Sequence, residues 1–177
     1  MKPAVQPFRI TCARIYLREM SADDAAQVYE LNNDPEVTKY TGEKPFANRS
    51  EAEQFLKNYD QYRRNGYGRW AVIRNEDQQW LGWCGLKYLV EEDETDIGFR
   101  FHRRFWNQGY SSEAALACLH YGFRNLNLEF ITAHVMKDNA ASIRVLEKIG
   151  MKYWKDHVFH QHPGCYYIAN REDDETM

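Results

Sequence analysis

Between Phe105 and Ala115 the chain reads FWNQGYSSEAA. Bulky aromatics give way to one glycine, then to small polar residues, then to a segment that looks like a buried helix. Gly109, Ser111 and Ser112 leave room for the backbone to approach a ligand closely. A strand running into a short loop and a helix start exposes several unpaired N–H groups, and the helix dipole adds partial positive charge. That combination suits an anion, and a diphosphate fits it well. Arg100, Arg103 and Arg104 lie just upstream. The same residues also suit a buried crossover whose glycine only turns the chain.

Other chemistry-bearing patterns are few. The sequence contains no G-x-x-x-x-G-K-[ST], G-x-G-x-x-G, H-E-x-x-H or G-x-S-x-G, which removes the best-marked nucleotide, zincin and serine-hydrolase signatures. His160, His162 and Cys165 cluster near the end, but a metal there lacks a fourth ligand, and a polar hairpin loop accounts for them. No two of the four cysteines form C-x-x-C, so neither a zinc ribbon nor a redox pair is expected.

The elements that must position the loop follow from periodicity. Phe8 to Met20 alternates as a strand through Ile10, Cys12, Ile15 and Leu17. SADDAAQVYELNND reads as a helix capped by Ser21, with Asp23 and Asp24 in its first turn and Pro35 beyond its end. NRSEAEQFLKNYDQYRRNG reads as a second helix, with Ser50 as cap, Glu53 completing a capping box and Gly66 as stop. RWAVIR and WLGWCGLKYL flank NEDQQ as a hairpin, and TDIGFRFH extends the meander. A helix carrying Leu116, Leu119 and Phe123 follows the loop, then the strand EFITAHVM. NAASIRVLEKIG is a helix with Asn139 as N-cap and Gly150 just past its end, and MKYWKDHVFH with GCYYIANR closes as a hairpin. The order β, α, α, β, β, β, α, β, α, β, β gives an α/β or α+β domain, with room for a parallel crossover between Thr95 and Met136.

The 177 residues, 44% hydrophobic and 28% charged, fit one domain with a sizeable core. A net charge of −3 argues against a nucleic-acid binder. Acidity is concentrated in EEDETD (Glu91 to Asp96), a turn or a surface facing a cation, and in REDDE (Arg171 to Glu175), expected to be a solvated tail. We therefore expect a single domain over 1–170 and an acidic tail over 171–177. No apolar run approaches the roughly 20 residues that cross a bilayer. MKPAVQPFRI lacks a signal-peptide core. Together these point to a cytoplasmic protein with reduced thiols and no membrane partner.

DIGFRFHRRFWNQGYSSEAA resembles motif A of the GNAT N-acetyltransferase superfamily, whose loop reads Q/R-x-x-G-x-G/A. Trp106 stands where that motif carries Gln or Arg, and Ser111 where it carries its last small residue. The Trp, together with MKDNAASIRVLEKIGM, is similar to the RimJ/RimL-like branch of ribosomal-protein N-terminal acetyltransferases, and WLGWCGL resembles the preceding hairpin strand. The resemblance runs in order along nearly the whole chain. It implies a mostly antiparallel central sheet with helices on both faces and a splayed parallel strand pair.

It also implies acetyl-CoA as co-substrate, with no metal. The pyrophosphate would lie on N–H groups of Asn107, Gln108, Gly109, Tyr110, Ser111 and Ser112. The pantetheine arm would run along the main chain of Phe99 and Phe101, and Asn139 would bond its amide. A free N–H of that strand would stabilise the oxygen on which charge develops. Many relatives protonate the leaving thiolate from a tyrosine, where this chain has Leu146. Ser142 is the candidate acid, with Tyr110 or Tyr121 as substitutes.

An α-amine, with pKa ~7.8, is about a quarter neutral at pH ~7.4, whereas a lysine amine is roughly 0.1% neutral. Asp96 is the candidate base or cation binder, Glu43 a weaker one, and Tyr40, Phe46, Trp70, Trp80 and Trp83 are aromatic candidates for lining the acceptor site. The acceptor would be a protein N-terminus, an amino acid or a small amine, and a homodimer is compatible. A non-catalytic CoA-binding module, or an enzyme using a longer acyl-CoA, shares these features.

Overall fold

The computed structural model describes residues 7–174. Eight strands form one sheet: β1 (Arg9–Thr11), β2 (Ile15–Glu19), β3 (Arg69–Arg74), β4 (Trp80–Leu89), β5 (Glu94–Phe101), β6 (Phe130–Met136), β7 (Lys152–Phe159) and β8 (His162–Asn170). Their spatial order is β1-β2-β3-β4-β5-β6-β8-β7. Every neighbouring pair is antiparallel except β5 and β6, which run parallel and register at one pair, Asp96 with Thr132. The helices are α1 (Ala25–Asn32), α2 (Pro35–Thr38), α3 (Arg49–Lys57), α4 (Gln61–Asn65), α5 (Tyr110–Arg124), α6 (Ala140–Lys148) and α7 (Arg171–Asp174). This is the mixed, mostly antiparallel α/β sheet expected from the sequence.

Strand alternation sends side chains to two cores. Trp70 and Val72 of β3 join Leu119 and Phe123 of α5 and Leu146 of α6 on one face. Ala71 and Ile73 join Val28 and Leu31 of α1 and Leu56 of α3 on the other. Phe123 and Leu119 are 1% and 0% exposed, and each such burial contributes about 2 kcal/mol. Among the described residues no helix is long and apolar enough to cross a membrane.

Three readings of the sequence change. Phe8 to Met20 is two strands, because the apolar spacing lengthens between Cys12 and Ile15, where a turn closes with Cys12 N–H donating to Ile15 C=O. The second helix breaks into α3 and α4 between Asn58 and Asp60. Its cap is Asn48, which accepts from Glu51 N–H at 3.0 Å, rather than Ser50; Glu51, not Glu53, reaches back to Ala47 N–H. Gly66 does end α4, at φ +77°.

The third change concerns the acidic terminus. Residues 171–174 do not stand off as a solvated tail. Asp174 is 5% exposed, and its carboxylate meets Arg124 Nε at 2.8 Å and His120 Nε2 at 3.3 Å. Arg124 on α5 offsets the local like-charge repulsion and docks α7. Glu175 to Met177 lie outside the described residues.

Candidate active site

The loop before α5 is shaped by three devices. After β5 a 3₁₀ turn (Arg103–Phe105) leads out, and Trp106 Nε1 donates back to Phe101 C=O at 2.8 Å. Asn107 and Gly109 then take φ of +59° and +82°, a region in which glycine carries no steric cost. Arg14, in the turn after β1, secures the far side: its Nη1 donates to Gln108 C=O at 3.0 Å, and its Nε and main-chain N–H both donate to Glu113 at 2.8 Å. The first helical bond runs from Glu113 N–H to Gly109 C=O, and no side chain caps the helix. The N–H groups of Asn107 to Ser112 therefore have no acceptor among the described residues. A 15-residue helix dipole adds positive potential there, while the Arg14 charge is matched by Glu113.

The cations expected just upstream do not serve this loop. Arg103 pairs with Asp34 and Arg104 with Glu30. Arg100 points to the opposite face, donating to Asn32 at 2.5 Å and Glu43 at 3.0 Å. Arg14 instead braces the loop through Gln108 C=O and Glu113, and its position 95 residues before Gly109 left no local signal.

Beyond Asp96 the β5 edge has no β6 partner, so the main chain of Phe99 and Phe101 borders a gap. At its far side Asn139 caps α6, its Oδ1 accepting from Ser142 N–H at 3.2 Å. The Asn139 amide N–H₂ and the Ser142 hydroxyl make no hydrogen bond to the described residues. Leu146 is 2% exposed in the core, so its position offers no proton donor.

Two tyrosines suggested by the sequence are directed elsewhere. Tyr110 is buried, with Arg14 over its ring at 4.5 Å and its hydroxyl 3.5 Å from Arg74 on β3. Tyr121 packs against Phe8 and Trp70. Both lie on the β3 side of β5, away from the β5–β6 gap.

The face toward α1 holds the polar side chains of β5. Asp96 Oδ1 accepts from Arg69 Nη2 at 2.9 Å, with both side chains largely buried. Asp96, the candidate base or cation binder, therefore already has its charge offset by Arg69. Gly98 leaves room beside it, since a Cβ there would meet the Arg69 guanidinium at 2.8 Å and displace it. Trp83 lies between Arg69 and Arg100, whose guanidiniums are 5.5 and 5.1 Å from its ring. Trp70 and Trp80 are core residues, 0% and 6% exposed. The loop carrying Glu43 reaches across to the β7–β8 turn, where Gly42 lies against the His160 ring with no room for a Cβ.

One cluster on this face escaped the sequence reading. Glu94 Oε1 accepts from Thr132 Oγ1 at 3.0 Å and from the Tyr166 hydroxyl, and lies 3.1 Å from His134 Nε2. His134 Nδ1 lies 3.2 Å from His157 Nε2. Burial, then His134 and Lys155, push the His157 pKa down. These residues sit on four strands, and only the acidity of EEDETD hinted at any of them.

The parallel β5–β6 pair thus parts beyond Asp96, with an uncapped helix start on its open side and a polar opposite face. Residues 14–152 match the family described as "Acetyltransferase (GNAT) domain". The chain is 33% identical over 141 residues to the uncharacterized N-acetyltransferase p20 of Bacillus licheniformis, covering 78% of this chain and 79% of that one. A GNAT-family acetyltransferase from Bacillus anthracis superimposes with a TM-score of 0.79 at 30% identity, over 93% of this chain and 99% of that chain. A spermidine N-acetyltransferase from Vibrio cholerae, solved with CoA and spermine, shares the fold with a TM-score of 0.78 at 19% identity, covering 92% and 98%. The chain belongs to the GNAT acetyltransferases.

Proposed function

We propose that this enzyme transfers the acetyl group of acetyl-CoA directly to a primary amine, in a ternary complex, as a RimJ/RimL-like member of its family. The acceptor is a protein N-terminus, an amino acid or a small amine. The observation that carries the reading is the uncapped α5 N-terminus beside the open β5–β6 gap: unpaired donors are concentrated where a pyrophosphate needs them. Asn107 to Ser112 offer main-chain N–H groups to that pyrophosphate. Phe99 and Phe101 offer main-chain groups to the pantetheine, and Asn139 offers its free amide.

Acetyl-CoA supplies an activated acyl group; the chain supplies position and protons. A main-chain N–H on the unpaired β5 edge faces the carbonyl oxygen as it gains charge, a placement worth several kcal/mol when a donor is preorganised. Ser142, whose hydroxyl has no protein partner among the described residues, protonates the departing thiolate. Four free cysteines support a reducing, cytoplasmic setting.

The test is melting temperature with acetyl-CoA, CoA and ATP. A ligand at 100 times its Kd adds about 2.7 kcal/mol, so the two CoA forms should raise it and ATP should not. Gly109→Val should abolish the rise, because a β-branched residue cannot hold φ +82° without strain. No rise in the folded wild-type chain would remove the donor assignment. Thiol release with a panel of amines then identifies the acceptor class.

A further inference from the structure

Acetyl transfer to an ammonium leaves a proton to be disposed of. The R–NH₃⁺ acceptor starts with three N–H protons and the amide keeps one. The thiolate takes one, so one must leave the site. Asp96 is tied to Arg69 and Glu43 to Arg100, so neither carboxylate is free to take it.

Glu94 is differently placed. Period-two alternation puts its side chain on the same face as Asp96 and Gly98. On β6, Thr132 pairs with Asp96 and is followed on that face by His134, the first such residue beyond the last β5–β6 pair. Glu94 Oε1 is held by two donors, Thr132 on β6 and Tyr166 on β8, while Oε2 has no partner among the described residues. From Oε1 a chain of contacts leads outward: His134 Nε2 at 3.1 Å, then His134 Nδ1 to His157 Nε2 at 3.2 Å. The Glu94 and His134 side chains are 9% and 7% exposed, whereas His157 is half-buried on β7, the last strand of the sheet.

We propose that Glu94, His134 and His157 form the exit route for the acceptor's surplus proton. This rests on the acetyl-transfer reading above. Glu94 Oε2 takes the proton from the ammonium, and the carboxyl group then turns to bring that proton to His134 Nε2, with His134 in the tautomer that carries its own proton on Nδ1. His134 accepts it at Nε2 while releasing its Nδ1 proton to His157, and His157 releases one to solvent. Each nitrogen gains one proton as the opposite one loses its own, so the chain ends neutral after a tautomer reversal. A carboxylate and two imidazoles in series suit such traffic near neutral pH. The other groups acting on the chain are Tyr166, which donates to Glu94, Lys155 beside His157, and Glu92 in the β4–β5 turn. No covalent change in the protein is involved.

The test compares wild type with His157→Gln and His134→Gln, measuring kcat/KM between about pH 6 and 9 at saturating acetyl-CoA. The route predicts a loss of about 10²-fold near pH ~7 for His134→Gln, a smaller one for the more exposed His157→Gln, and convergence with wild type as the amine loses its proton unaided. Added imidazole should restore part of the loss. Wild-type profiles in both variants overturn the proposal. So does a loss that is constant across pH and insensitive to imidazole, the mark of a structural role. A wild-type chain that binds acetyl-CoA yet acetylates no amine overturns the parent reading instead, and the proton route with it.

Discussion

Arg14 and Glu113 lie 99 positions apart, yet the Glu113 carboxylate accepts two bonds from Arg14, one from the main chain and one from Nε, both at 2.8 Å. The pair joins the β1–β2 turn to the first turn of α5 and leaves the third arm of Arg14 on Gln108 C=O. The position of the loop before α5 is thus set from outside the loop.

Arg14→Ala should therefore weaken CoA binding without unfolding the domain. Arg14 is about half exposed, so solvent screening holds the effect near 1 kcal/mol, roughly five-fold in Kd. Titration calorimetry with CoA at two salt concentrations measures it. An unchanged Kd would show that the loop holds its shape unaided.

Asp96 presents the opposite case, a carboxylate whose partner is buried. Removing it strands the Arg69 guanidinium, so Asp96→Ala should cost about 3 kcal/mol of stability. Asp96→Asn should cost less, since an amide oxygen can still accept from Arg69. Denaturant titration of both variants reads this directly. If both keep wild-type stability and lose turnover, Asp96 is the base and Arg69 merely its neighbour.

Ser142 should behave in the reverse sense. Its hydroxyl makes no bond to the described residues, so Ser142→Ala should leave stability and CoA affinity intact. Turnover should fall about 10²-fold, as loss of a general acid implies. Single-turnover kinetics separate the chemical step from product release. Undiminished turnover would exclude Ser142 as the proton donor.

The sequence disclosed the site unevenly, for a physical reason. Gly109 and its serines, Asn139 and the β5 strand carry local signatures: a left-handed turn, an uncapped helix start, a cap and strict alternation. These depend on neighbours in the chain and are legible there. Arg14, the Arg69–Asp96 pair and the Glu94–His134–His157 series arise only when distant strands come into register. A one-residue change in pairing would send their side chains to the other face. Tyr110 shows the converse. It lies in the most recognisable motif of the chain, yet the helical phase of α5 turns its ring toward Arg74 on β3. Position in the motif could not reveal that direction.

His102 makes stability depend on pH. It is 5% exposed beside Trp80, with ring centroids 5.6 Å apart. Burial lowers its pKa, with Arg104 adding to the effect and Glu30 and Asp34 opposing it. A histidine whose folded pKa lies below its unfolded value of about 6.5 binds its proton more readily in the unfolded chain. Its contribution to stability is thus complete above the unfolded pKa and is lost as pH falls through that value toward the folded one. His157 is shifted the same way and contributes in the same direction. Melting temperature measured from about pH 7.5 down to about pH 5 should fall progressively, and His102→Phe should fall less steeply while His157→Gln removes a smaller share. Equal slopes in wild type and His102→Phe would assign the acid sensitivity to other groups.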